Sequence, residues 1–245
     1  SHTGAIGGGE VWGYQIASVL KNRFDFRLFS PEQDQRFKQY FKQDIFFPRT
    51  AFVVNPDLYI HYSTHILQNP KGKKNILITC FPRKEWDKSI VQKYDVILTL
   101  SKYSANFVRH FWDRKAKIVH PAIEFSHYKV LPKEDMILCV SRFFRESDGY
   151  SKNQLELIRA FKELNCSLKL NIAGAVLTPD DQRYLDECKK EAEGSNIEFY
   201  PNIDRESLNN LYSRAKYLWH ANGYNRTDPY QVEYFGIIYL EAMAS

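Results

Sequence analysis

The stretch Gln231-Val-Glu-Tyr-Phe-Gly-Ile-Ile-Tyr-Leu-Glu-Ala-Met-Ala-Ser245 is the most informative part of this chain, because it places two carboxylates in a largely apolar segment. Residues 237–244 are rich in good helix formers and follow Gly236, so the pattern predicts a helix that begins after the glycine. Glu241 then lies inside the helix and Glu233 just ahead of it. At a rise of about 1.5 Å per residue, the two carboxylates are at most roughly 12 Å apart along the axis. This spacing suits a ligand with polar groups at both ends and an anion at the helix N-terminus.

Two cations precede this stretch in the same half of the sequence. Arg142 directly follows a predicted strand at residues 136–140, and Lys152 stands at the start of a predicted helix at residues 153–164. This order places both cations at the carboxyl edge of a sheet, where they can bind a diphosphate and stabilise charge on a leaving group. Two exposed cations on a loop are the alternative interpretation, and the paired carboxylates downstream favour the anion site.

These two patterns resemble those of the retaining GT-B glycosyltransferases of family 4. The similar features are Glu233-x7-Glu241, with Phe-Gly after the first Glu, and Arg142-Phe followed by a loop and Lys152-Asn-Gln. The resemblance implies that Glu241 binds the ribose of a nucleotide-sugar and that Glu233 lies at the hexose, near the reacting centre. It implies catalytic roles for Glu233, Arg142 and Lys152. The Arg142–Lys152 step and the link from Tyr224 to Glu233 are longer than in many members, which indicates a subgroup with an expanded loop.

The same resemblance implies further substrate contacts. A Gly-rich segment near the start would face donor and acceptor, a loop before Asp204 would pack on the base, and a segment after the strand at residues 217–220 would contact the sugar. The substrate-binding candidates, besides Glu241, are Gly8, Gly9, Ile203, His220, Asn222, Gly236 and Ile237. Core or capping roles remain equally open for His220 and Asn222. On the acceptor side His61 and His65 are candidates, although structural roles suit both better, and the family's His-Phe-Pro is here Cys80-Phe-Pro82.

Helical and strand patterns alternate along the whole sequence, which predicts an α/β fold. With the resemblance, the expected class is GT-B, with two Rossmann-like doubly wound domains facing a cleft. We expect an N-terminal, acceptor-side domain at residues 1–125, a polar linker at residues 126–134, and a nucleotide-sugar-binding domain at residues 135–245. The chain opens inside a glycine-rich loop and stops directly after a helix. We therefore expect a first strand and a C-terminal part to be missing.

Composition restricts the classes of partner. No apolar run approaches the ~18–20 residues of a spanning helix, and four scattered cysteines favour neither zinc nor disulfides, so we expect a cytoplasmic protein. Residues 1–125 carry 19 Lys and Arg against 11 Asp and Glu, whereas residues 126–245 carry 15 against 18. The basic first half indicates an anionic partner, and the sequence lacks the signatures of a nucleic-acid-binding module. Aromatic and cationic residues alternate at residues 32–43, which leaves peripheral contact with the inner membrane face open.

The predicted function is transfer of a hexose from a UDP- or GDP-sugar to a glycan, a lipid-linked acceptor or another acceptor. The expected partners are therefore a nucleotide-sugar donor and a glycan or lipid-linked acceptor, without nucleic acid. No metal site and no cofactor beyond the donor are expected, because the cations and helix N-termini would supply the positive charge. Two alternatives remain: a sugar-nucleotide epimerase of GT-B fold, and a non-catalytic protein that binds nucleotide-sugars.

Overall fold

The computed structural model describes residues 8–25, 55–63 and 65–245. The chain divides into two compact units, Ser1–Ala122 and Ile123–Ser245, so residues 126–134 fall within the second unit. The predicted aromatic and cationic helix at residues 32–43 lies outside the described residues. Within those that are described, no helix is both long and apolar enough to span a membrane.

The first unit contains one parallel sheet and three described helices. Its elements are α1 (Gly8–Lys21), β1 (Leu58–Tyr62), β2 (Lys74–Ile78), α2 (Lys88–Val91), β3 (Val96–Thr99), α3 (Lys102–Trp112) and β4 (Lys117–Ile118). The strands are parallel and follow one another in the order β1-β2-β3-β4. Ser101 caps α3, since its hydroxyl accepts from the Ser104 N–H, and Trp112 at the end of α3 packs in the core beside Leu77 and Ile97.

The second unit repeats the strand–helix alternation. After a 3-10 turn at Phe125–His127 come β5 (Glu134–Val140), α4 (Gln154–Leu164), β6 (Lys169–Gly174), α5 (Pro179–Glu191), β7 (Ile197–Pro201), α6 (Arg205–Arg214) and β8 (Ala215–Trp219). A 3-10 turn at Pro229–Gln231 precedes α7 (Ile237–Met243). Local chemistry explains two helix starts: Thr178 caps α5 ahead of Pro179, and Asp204 caps α6 by accepting from the Ser207 N–H.

The second sheet is parallel and has the strand order β7-β6-β5-β8. The chain therefore builds outwards from β5 to β7 and then returns to place β8 on the opposite side of β5. In an open α/β sheet, ligands bind at the carboxyl ends of the strands where the order reverses in this way. Arg142 and His220 follow the two strands that flank this point.

Helices cover both faces of the second sheet, as a doubly wound fold requires. Ile158 of α4 and Leu185 of α5 pack on one face, whereas Tyr212 of α6 packs on the other, where Ile238 and Ala242 of α7 join it. The prediction of an α/β fold with two Rossmann-like units is confirmed.

Gly174, at the end of β6, brings two strand ends unusually close together. A Cβ atom at this position would lie 1.9 Å from the Ser141 carbonyl oxygen, well inside van der Waals contact. Only glycine allows this approach. The close packing fixes the backbone of Ser141, the residue that leads directly into Arg142.

Candidate functional site

Arg142 lies at the carboxyl end of β5 and is half-buried. Its guanidinium carbon lies 4.5 Å from the centroid of the Phe144 ring, a cation–π contact that orients the side chain. Its Nε is buried and has no hydrogen-bond partner among the described residues. A buried donor without a partner costs free energy that an anionic ligand would recover.

The two residues after Lys152 hold this edge of the sheet together. The side chain of Asn153 donates from Nδ2 to the carbonyls of Ala221 at 2.8 Å and Tyr224 at 3.3 Å. Gln154 donates from Nε2 to the Ser141 hydroxyl at 2.9 Å and to the Arg142 carbonyl at 3.0 Å. The Lys-Asn-Gln triplet therefore connects the segment after β5 to the segment after β8. Asn153 and Gln154 stand beside Lys152 in the sequence motif, but the motif predicted no role for either residue.

Lys152 lies within electrostatic range of two other predicted site residues. Burial lowers the pKa of Lys152, the Arg142 charge lowers the pKa further, and the Glu233 carboxylate opposes both effects. The structure thus brings together the three residues that were predicted to be catalytic. Their net charge is positive while Lys152 is protonated, which favours an anion at this edge.

Glu233 lies in the turn before α7 and contacts both neighbouring segments. Its Oε2 accepts from Asn222 Nδ2 at 3.2 Å and lies 3.8 Å from His220 Nε2, while its Oε1 accepts from the Gly236 N–H at 2.9 Å. Gly236 has a φ of 77°, and a Cβ there would come within 2.3 Å of the Tyr239 ring. Glycine at this position lets the chain turn tightly enough for the Glu233 carboxylate to bond the backbone ahead of α7.

His220 is enclosed beside Glu233. Its Nδ1 lies 3.1 Å from the Tyr239 hydroxyl, and its side chain is only 6% exposed. Burial lowers the pKa of His220, and the nearby Glu233 opposes this effect. The imidazole is therefore neutral at pH 7.

Glu241 has a different environment, on the sheet face covered by α6. Its Oε2 accepts from the Tyr212 hydroxyl at 2.8 Å, its Oε1 accepts from the Tyr128 hydroxyl at 3.1 Å, and Arg205 forms an ion pair with it. Burial and the Glu241 charge raise the pKa of Tyr212 and of Tyr128. None of these three partners was predicted from the sequence. Ribose binding by Glu241 stays a prediction.

The other predicted residues occupy three places. Ile203 is half-buried against the cluster on the α6 face, and Ile237 is the first residue of α7. Gly8 and Gly9 belong to the first unit, where they form the first turn of α1 rather than a loop before it. The Gly9 carbonyl accepts from the Tyr62 hydroxyl at 2.5 Å.

The two histidines predicted as acceptor-side candidates, His61 and His65, each contact a neighbouring residue. His61 is buried and bonds the Ile66 carbonyl at 2.8 Å through Nε2. The Nδ1 of His65 lies 3.3 Å from an Arg83 guanidinium nitrogen. These contacts favour structural roles, as expected from the sequence.

A Rossmann-type sheet with two clustered cations at its switch point defines a class of α/β proteins that bind anionic ligands at the strand ends. Residues 123–245 match the family described as glycosyl transferases group 1, and the chain belongs to this family. No curated protein is similar enough to the chain to count as a relative.

Solved structures support the same fold. Alr3699/HepE from Anabaena in complex with UDP has a TM-score of 0.53 and 13% identity over 70% of this chain and 51% of that one. The structure of the same protein with UDP and glucose has a TM-score of 0.50 and 14% identity, over 70% of this chain and 50% of that one. A glycosyltransferase from Rickettsia africae ESF-5 has a TM-score of 0.52 and 12% identity, over 100% of this chain and 62% of that one. The chain thus spans about half the length of the Anabaena protein, and the likeness confirms the predicted GT-B fold class.

Proposed function

We propose that this protein is a retaining glycosyltransferase that transfers a hexose from a UDP- or GDP-sugar to a glycan, a lipid-linked acceptor or another acceptor. The observation that carries the proposal is the convergence of Arg142, Lys152 and Glu233 at the β5–β8 switch point. Membership of glycosyl transferases group 1 supports it. The Anabaena protein of similar fold binds UDP and glucose, which is consistent with a donor of this kind.

Arg142 and Lys152 would bind the diphosphate of the donor. The unpartnered Nε of Arg142 can donate a directed hydrogen bond to the diphosphate. The ammonium group of Lys152 is half-buried, and the partial exclusion of water strengthens its electrostatic attraction to the diphosphate. As the bond between the sugar and the phosphate breaks, negative charge grows on the leaving oxygen, and these cations stabilise it. No metal ion is required for this step.

Glu233, His220 and Asn222 would contact the hexose. In the proposed reaction the acceptor hydroxyl attacks the anomeric carbon on the face from which the diphosphate leaves. The C1–O bond to the phosphate breaks, the new glycosidic bond forms, and the acceptor proton passes to the leaving phosphate oxygen. The Glu233 carboxylate is suited to stabilise the positive charge that develops on the sugar ring. Retention of configuration follows from attack on that face.

Glu241 would bind the ribose hydroxyls, and the segment around Ile203 would pack on the base. Because both Glu241 oxygens are already hydrogen-bonded, donor binding would have to replace at least one contact with Tyr128 or Tyr212. The basic charge of residues 1–125 would attract an anionic acceptor, at the inner face of a membrane if the acceptor is lipid-linked.

The proposal is tested by incubating the full-length protein with UDP-, GDP- and ADP-sugars, with and without a pool of glycan and lipid-linked acceptors. We expect nucleoside diphosphate release that depends on the acceptor, and a product whose anomeric configuration, assigned by NMR, equals that of the donor. A new sugar nucleotide formed without acceptor would identify an epimerase instead. Donor binding without release or conversion would identify a binding protein.

A further inference from the structure

Two long loops of the second unit are bound to each other beside the proposed site. The first joins β5 to α4 and the second joins β8 to α7. Arg226 donates to the Gly149 carbonyl at 2.6 Å, and Gln231 donates to Asp148 Oδ2 at 2.8 Å. The Arg226 guanidinium also lies 5.9 Å from the centroid of the Tyr150 ring. We call these five residues the clasp.

Each loop presents an ordered turn to the other. In the first, the Tyr150 N–H donates to Asp148 Oδ1 at 2.9 Å, and Gly149 adopts a φ of 79°. In the second, the Arg226 N–H donates to the Gly223 carbonyl at 3.1 Å, and the Arg226 guanidinium lies 3.4 Å from Gln231 Oε1. The contact joins residues that are 77 and 83 positions apart in the sequence. It therefore fixes the position of one loop relative to the other.

A short chain of hydrogen bonds leads from the clasp to the proposed site. The Tyr150 hydroxyl donates to Asn222 Oδ1 at 3.3 Å, and Asn222 Nδ2 donates to Glu233 Oε2 at 3.2 Å. Burial raises the pKa of Tyr150 to about 12, so the phenol keeps its proton at neutral pH. Because the Glu233 carboxylate can only accept, the amide N–H group of Asn222 faces it, and the amide oxygen is left to accept from the Tyr150 hydroxyl.

We infer that the clasp is a positioning device for Glu233, and that Tyr150 is the residue through which it acts. This inference rests on the proposed function, because positioning matters only if Glu233 works at the donor sugar. Together the two loops hold the Tyr150 phenol against Asn222, and Asn222 in turn bonds Glu233. Tyr150 is a positioning residue and does not touch the reacting atoms.

Hydrogen–deuterium exchange of the substrate-free, full-length protein tests the clasp without any assay of activity. Arg226→Ala removes the contacts to Gly149 and Tyr150, so we expect faster amide exchange in residues 145–151. Arg159→Ala is the matched control, because Arg159 is an exposed arginine whose ion pairs lie with Glu156 and Glu191. Unchanged exchange at residues 145–151 in Arg226→Ala would overturn the clasp.

Transfer kinetics test the positioning role. Tyr150→Phe keeps the ring and removes only the O–H group, so we expect kcat to fall about tenfold, equivalent to roughly 1.4 kcal/mol, with the donor KM within about twofold of wild type. Tyr224→Phe, at an exposed tyrosine of the same second loop, should leave both constants unchanged. If the wild type is active and Tyr150→Phe has the same kcat as Tyr224→Phe, the positioning role is overturned while the proposed function stands. A wild type without transfer would overturn the proposed function and the positioning role together.

Discussion

Glu233 and Glu241 lie near the two ends of the same short segment, yet they differ in solvent exposure and in the groups that bond them. The Glu233 side chain is 32% exposed and is bonded by an amide and a backbone N–H. The Glu241 side chain is 7% exposed and is bonded by one guanidinium and two phenols. The first carboxylate therefore remains accessible to a ligand, whereas the second has its charge compensated within the protein.

This difference shows that two glutamates of one sequence pattern can have different structural environments. A buried carboxylate needs partners that replace its hydration, and Glu241 obtains them from α6 and from Tyr128. In doing so it fastens α7 against its own unit. Glu233 contributes little to such packing, because its partners belong to the turn and loop that form the proposed site. The comparison predicts that substitutions near Glu233 affect chemistry and that those near Glu241 affect stability first.

The largest effect is expected for Arg142→Ala, on the Glu233 side. Loss of a group that stabilises the leaving diphosphate should lower kcat/KM by about 100- to 1,000-fold, as measured by nucleoside diphosphate release with the preferred donor. The urea midpoint of unfolding should stay close to wild type. Wild-type turnover in this variant would show that Arg142 is not part of the site.

Glu241→Ala should have the largest effect on stability. The substitution leaves two buried phenols and the Arg205 guanidinium without their acceptor, so we expect the free energy of unfolding to fall by about 3 kcal/mol. Glu233→Ala is the matched comparison and should cost less than about 1 kcal/mol. Urea titration of both variants gives the two values. Equal losses would contradict the contrast between the two carboxylates.

Asn153→Ala should have a smaller effect on stability. It removes two hydrogen bonds to the Ala221 and Tyr224 carbonyls and places alanine at a φ of 58°. Asn165→Ala controls for the backbone strain, because Asn165 is exposed and also has a positive φ, of 42°. We expect Asn153→Ala to be less stable than Asn165→Ala by about 1–2 kcal/mol in urea titration. If both variants lose the same amount, the side-chain bonds of Asn153 do not hold the two segments.

The smallest effect concerns pH. The pKa of His220 is lower in the folded protein than in the unfolded chain, so the unfolded chain binds a proton more readily. Protonation therefore favours unfolding, and the contribution of neutral His220 to the free energy of unfolding is complete only above a pH of about 6.5. It is lost progressively as the pH falls from there through the folded pKa. We expect His220→Gln to show a weaker decrease of unfolding free energy than wild type between pH 7.5 and 5.5. Parallel pH profiles would show that His220 titrates normally.

Much of the second unit was predictable because its signals are local. Thr178-Pro179 and Asp204 are caps whose chemistry needs only neighbouring residues, and both start helices as expected. The meeting of Arg142 with the segment around Glu233 was also predictable, since parallel strands bring their carboxyl ends to one edge. The predicted fold class therefore agrees with the structure, whereas the roles of the site residues stay predictions.

The partners of Glu241 could not have been predicted in the same way. Tyr128 is 113 residues away in sequence, and the contact depends on how α6 and α7 pack on the same sheet face. No periodicity or spacing encodes such a pairing. The clasp was hidden for a related reason: the contacts of Arg226 with Gly149 and of Gln231 with Asp148 arise only because the two loops lie close together in space.

Gly174 leaves no room for any other residue at the end of β6. With the Ser141 carbonyl 1.9 Å from where a side chain would begin, even alanine would push β6 away from β5 and move the residue that precedes Arg142. In a saturation-mutagenesis screen for transfer activity, position 174 should therefore tolerate as few substitutions as the charged residues of the site. A glycine, which has no side chain, would then be indistinguishable by its mutational profile from a catalytic residue.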